Sequence, residues 1–135
     1  DVAPVQVANC RRKLVDLPQA TVRQADASRS GDARYDAVCC YFLIHEVPDD
    51  YKRDIADALL ERVVPGGKVV FIDYHKPHWA HPLKGITSLV FDTLEPFAKS
   101  LWRREIADFA RNSGQYDWRT TVYFGGLFQK VVARR

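Results

Sequence analysis

Apolar residues recur along this chain with two periods, and each change of period marks an element. Val5, Ala8 and Leu14 follow Pro4 at helical spacing, and Arg11, Arg12 and Lys13 put positive charge at the far end. A short helix running toward Leu17-Pro18 is predicted. Thr21-Val22-Arg23-Gln24 reads as a short strand and Ser28 to Arg34 as a polar turn. Asp36 to Tyr41 is apolar on both faces, as in a strand buried within a parallel sheet. Asp49 and Asp50 are placed to cap a helix in which Ile55, Ala58, Leu59 and Leu60 recur, and Val64-Pro65-Gly66-Gly67 stops it. Lys68 to Tyr74 is again almost wholly apolar. Strand, helix, turn, strand is a βαβ unit, which crosses over right-handed and makes a parallel pair.

The pattern then changes. His75 to Pro82 is a loop rich in His and Pro, followed by a helical stretch with Ile86, Leu89, Val90 and Leu94 on one side, which Pro96 should kink or end. A second helix is expected over roughly Phe97 to Arg111. Two runs, Trp118 to Phe124 and Leu127 to Ala133, flank Gly125-Gly126 and predict an antiparallel hairpin.

At 135 residues and 47% hydrophobic content the chain reads as a single domain over 1–135. A net charge of +3 argues against a nucleic-acid partner, while suiting an anionic cofactor or membrane surface. Three cysteines, two of them the neighbours Cys39-Cys40, do not make a disulfide framework, which points to a reducing cytoplasm. No apolar run of spanning length occurs, so any membrane contact should be peripheral.

Several strings, in order, resemble the class I S-adenosylmethionine-dependent methyltransferases. Asp1-Val2-Ala3-Pro4 is similar to the acidic end of that family's second strand, and Gln24-Ala25-Asp26-Ala27 to the segment that holds the adenine. Tyr35-Asp36-Ala37-Val38 resembles the opening of its fourth strand, and Val64-Pro65-Gly66-Gly67-Lys68 the turn into its fifth. The resemblance implies an α/β, Rossmann-like sheet of parallel strands closed by the carboxyl-terminal hairpin, with S-adenosylmethionine as cofactor. The glycine-rich turn that precedes the acidic residue in the family is not among these residues, so the chain is expected to open partway into the fold, lacking the first strand or strands. Ile44-His45-Glu46-Val47-Pro48, Phe71-Ile72-Asp73-Tyr74-His75 and Leu94 to Trp102 look like the rhodoquinone-biosynthesis branch. That narrower resemblance implies replacement of a ubiquinone methoxy group by an amine, with a divalent metal, at the inner face of a membrane. A conventional methyltransferase of another lipophilic small molecule, without metal, is the enzyme alternative. A non-catalytic module that binds a partner or membrane through Leu83 to Trp102 is the other. Oligomeric state stays open.

These readings name candidate residues, each with a plainer alternative. Asp1, with Val2, would hold the ribose at the carboxyl edge of the sheet, or Asp1 would only favour the positive end of a helix. Asp26 and Ala27 would hold the adenine, or Asp26 would close an Asx turn. Tyr41 and Phe42 would face the sulfonium, or pack in the core. His45, His75 and Tyr74 are the catalytic candidates, because an imidazole with an ordinary pKa near 6.5 suits a general base, or His45 would be a helix-capping or hydrogen-bonded structural residue. His45, Asp73 and His75 would form a metal site, their chemistry suiting Mn or Fe. His75, His78 and His81 recur every third residue and could share one side of an extended loop. Residues 75–112 as a whole read as a substrate-side loop and helical cover, whose stripe would meet a prenyl tail, a bilayer or the core.

Overall fold

The computed structural model describes residues 1–29 and 31–135. Its elements are α1 (Pro4–Lys13), β1 (Tyr35–Tyr41), α2 (Asp49–Glu61), β2 (Val63–Tyr74), α3 (Lys84–Thr93), β3 (Asp117–Tyr123) and β4 (Phe128–Arg134). The four strands form one mixed sheet in the order β1-β2-β4-β3, with β1 parallel to β2 and the other pairs antiparallel. This is the α/β architecture expected, with its βαβ unit and its closing hairpin.

Burial follows strand periodicity. Val69 and Phe71 of β2 and Val131 and Ala133 of β4 turn one sheet face inward, where Ile55, Ala56 and Leu60 of α2 cover it together with Leu101, Ile106 and Phe109. Lys52 of α2 is also fully buried. Its ammonium donates to the Val47 carbonyl at 2.8 Å, to Asp49 Oδ1 at 3.0 Å and to the Phe97 carbonyl at 2.9 Å. Three hydrogens meet three acceptors, which is the condition under which a buried ammonium is tolerated.

Several local expectations are corrected. Residues 21–24 are not a strand: the segment is held beside the chain's first residues by one backbone bond, Ala25 N–H to the Asp1 carbonyl at 3.0 Å. Helix α1 stops at Lys13, short of Leu17. Of the polar turn 28–34, Ser30 lies outside the described residues. β1 is parallel but not buried on both faces; it lies at an edge of the sheet, and Cys40 is its one buried residue. Asp49 and Asp50 lie within the first turn of α2 and make no side-chain cap, because Asp49 is committed to Lys52. The helix expected over 97–111 is two 3-10 helices, Ala98–Trp102 and Ile106–Phe109, the second opened by a capping box between Glu105 and Asp108. Helix α3 ends at Thr93, before Pro96 as expected, but of the stripe Ile86, Leu89, Val90 and Leu94 only Val90 is half-buried and the other three face solvent rather than the core.

No described helix is long and apolar enough to cross a membrane.

Candidate functional site

Parallel strands β1 and β2 end side by side, and the carboxyl end of β2 anchors the turn that leaves β1. This turn, Ile44–Glu46, presents amides that no helical partner satisfies. Buried Asp73, next to the last residue of β2, accepts them: Ile44 N–H at 2.9 Å and His45 N–H at 3.3 Å on Oδ2. Its Oδ1 accepts Tyr74 N–H at 2.7 Å and stands 2.8 Å from His45 Nδ1. A carboxylate accepts only, so Nδ1 carries the proton and Nε2 of the neutral ring is the basic nitrogen.

Two further carboxylates face that nitrogen. Glu95 Oε2 and Glu46 Oε1 each lie 4.0 Å from Nε2. The Glu95 oxygen is buried without a hydrogen-bond partner among the described residues. Burial alone would push the His45 pKa down, but the bond to and charge of Asp73, followed by the charges of Glu95 and Glu46, outweigh it, and the net shift is upward from 6.5.

Aromatic rings wall the imidazole. Tyr74 packs edge-on at 4.6 Å and Phe42 at 5.9 Å, while Phe91 of α3 lies 4.8 Å from Tyr74. Phe42 holds φ at +48°, a conformation rarely adopted by an aromatic residue, which aims its ring at His45, Tyr74 and Phe128. Burial, then Glu95, Asp73 and Glu46, raise the Tyr74 pKa, so its phenol keeps its proton at neutral pH. Tyr74 can donate there but cannot serve as a base. Cys40 is likewise inert as a nucleophile: burial first, then Asp73 and Cys39, pushes its thiol up to about 12.

The expected metal set is not assembled. Asp73 is engaged with four donors, and His75 Nδ1 lies 3.0 Å from the Gly126 carbonyl on the hairpin, away from His45. No group of three or more His, Cys, Asp or Glu among the described residues is arranged to hold a metal ion. His78 and His81 accept backbone amides of their own loop, from Ala80 and Leu83. The implied Mn or Fe therefore does not fit these residues.

Of the cofactor candidates, the Asp1–Val2 and Asp26–Ala27 segments are brought beside each other. Gln24 Nε2 donates to the Val2 carbonyl at 2.9 Å and Ala25 N–H to the Asp1 carbonyl, so Asp1, Val2, Asp26 and Ala27 line one edge. Asp1 Oδ1 accepts Ala3 N–H at 2.8 Å at the start of α1. Its other oxygen remains available to a sugar hydroxyl. Asp26 closes the Asx turn: Oδ1 accepts from Ser28 N–H and Oγ at 2.9 and 2.8 Å, and Oδ2 from the Tyr51 hydroxyl at 2.8 Å. Those Ser28 and Tyr51 bonds depress its pKa. Tyr41 is exposed at the end of β1. Both Asp26 oxygens are thus already bonded, to Ser28 and to Tyr51.

Neither Glu95 nor Lys52 carries a local signal: their roles arise only from contacts with segments distant in sequence.

No protein-family model and no curated protein matches the chain. Solved structures do. A possible exported protein from Bordetella parapertussis shares 22% identity over all of this chain and 51% of its own, with a TM-score of 0.73. An O-methyltransferase family protein from Burkholderia thailandensis shares 16% over 98% of this chain and 41% of its own, at 0.74. The N-methyltransferase NodS from Bradyrhizobium japonicum shares 10% over all of this chain and 70% of its own, at 0.68. The chain thus spans about half or less of the first two. At these identities the likeness is one of fold: the chain shares its mixed α/β sheet with these methyltransferase structures.

Proposed function

We propose that this chain carries the acceptor side of an S-adenosylmethionine-dependent transferase, with His45 as general base and a lipophilic ring, a quinol or related phenol, as acceptor. The observation that carries the reading is the His45 imidazole, fixed through Nδ1 by Asp73 with Nε2 turned to the unpartnered Glu95 oxygen. Asp73 holds the ring's orientation and stabilises the imidazolium that forms, and Glu95 adds a second negative charge beside it. When bound, the cofactor supplies an electrophilic methyl group. His45 Nε2 would take the proton of an acceptor hydroxyl whose oxygen lone pair forms the bond to that methyl carbon, the C–S bond electrons leaving with the neutral thioether sulfur. Proximity and alignment would supply most of the rate, and the half-buried rings of Phe42 and Tyr74, inclined to each other beside His45, give an aromatic acceptor apolar edges to pack on.

Quinone as acceptor, and methoxy-for-amine exchange as an alternative to methyl transfer, are supported by the strings Ile44 to Pro48 and Phe71 to His75. Mass spectrometry of a ubiquinone analogue, oxidised and reduced, incubated with S-adenosylmethionine and the full-length protein separates them. A product heavier by one methyl group supports methyl transfer, and one in which methoxy has become amine supports the exchange. His45→Gln should lower methyl transfer about 100- to 10,000-fold while leaving cofactor affinity by calorimetry unchanged. Full turnover in that variant would remove His45 from the chemistry.

A further inference from the structure

Helix α3 turns most of its apolar arc outward. Its half-buried residues are Lys84, Thr87, Ser88 and Val90, and its one buried residue, Phe91, packs on Tyr74 and Trp102. Ile86 and Leu89, with flanking Leu83 and Leu94, occupy an arc of roughly 140° on the other side. They are 64%, 65%, 48% and 75% exposed. The loop leading into α3 adds Trp79, 80% exposed, and the hairpin tip on which that loop is docked adds exposed Phe124. Scattered exposed apolar residues need no explanation, but a helix that spends its apolar arc on solvent does.

The border of this surface is cationic. Residues 75–104 hold five Lys and Arg against two Asp and Glu, so this segment carries an excess equal to the chain's whole net charge of +3. Asp92 is paired with Lys99 and Glu95 is turned toward His45, whereas Lys76, Lys84 and Arg103 have no carboxylate within ion-pair distance among the described residues. Lys76, Lys99 and Arg103 also line, with Trp102, a cleft of about 250 Å³ into which no acidic residue reaches.

We propose that the outer face of α3, with Trp79 and Phe124, docks on an anionic lipid surface. Apolar side chains and an indole would enter the headgroup boundary while Lys76, Lys84 and Arg103 meet lipid phosphates, the arrangement of an interfacial amphipathic helix. Charge decides against a second copy of the chain, because a symmetric contact would set one positive surface against another. The proposal does not rest on the chemistry at His45.

Co-sedimentation of the full-length protein with phosphatidylcholine vesicles, with and without phosphatidylglycerol, tests it. Binding to the anionic vesicles should exceed binding to the neutral ones at least tenfold and weaken with salt. Ile86→Ser/Leu89→Ser, at exposed positions, should lose at least tenfold with an unchanged circular dichroism spectrum, and Lys76→Glu/Arg103→Glu should lose the preference for anionic lipid. Failure of the wild type to bind either vesicle overturns the proposal, as does undiminished binding by the serine variant. A dimer in light scattering that the serine variant dissociates would assign the face to a second copy instead.

Discussion

Glu95 brings a carboxylate oxygen to within 4.0 Å of His45 Nε2, and no donor among the described residues satisfies that oxygen. The two residues meet because the cover formed by residues 94–102 folds back over the turn that leaves β1, so the imidazole and its flanking charge come from segments fifty residues apart.

Neutralising that charge should move the pH dependence of transfer. Glu95 helps hold the His45 pKa above its ordinary value, so Glu95→Gln lets it fall. A base must be deprotonated to act, so the rising acid limb of the pH–rate profile should shift to lower pH in the variant. An NMR titration of the imidazole should shift in the same direction; a limb that stays put, or moves up, would refute the electrostatic role of Glu95.

Lys52 ties the same cover down. Replacing it with Met removes the donor shared by the Val47 and Phe97 carbonyls and Asp49, and leaves two carbonyls unpaired beside the core. A loss of about 3 kcal/mol in urea unfolding is expected, since hydrogen bonds from a charged group each contribute roughly 1.5–3 kcal/mol. A loss under about 1 kcal/mol would mean that the ammonium's desolvation nearly cancels its bonds.

The hairpin tip holds the His-rich loop by close backbone approach. Gly126 has φ +91°, and a methyl group there would sit 3.0 Å from the Lys76 carbonyl oxygen and 3.3 Å from Pro77 Cα. Gly66 has φ +82° with nothing within 4 Å, so it isolates the conformational cost alone. Gly66→Ala should cost about 1–2 kcal/mol and Gly126→Ala measurably more, with faster amide exchange at His78, whose N–H donates to the Gly125 carbonyl at 2.9 Å. Equal costs would show that the loop is not held by this approach.

Local signals and long-range contacts divided the work of specifying this molecule. Periodicity along the chain determined the βαβ unit, the hairpin around Gly125-Gly126 and the end of α3 before Pro96, because each depends on residues a few positions apart. It also placed His45 and Asp73 at the carboxyl ends of β1 and β2, where polar residues collect along one edge of a sheet, whereas Asp1 and Asp26 stood out only through the family resemblance. Tertiary structure decided everything that needs a partner. Residues 21–24 have strand composition, but the one backbone bond that ties the segment to its neighbour is made by the following Ala25, and His75 has the right chemistry but an acceptor in Gly126. Likewise, the spacing of Ile86, Leu89 and Leu94 announces an amphipathic helix, yet a periodic stripe carries no information about which side the sheet lies on. Phe91 packing against Tyr74 and Trp102 settles it, and turns the stripe to solvent.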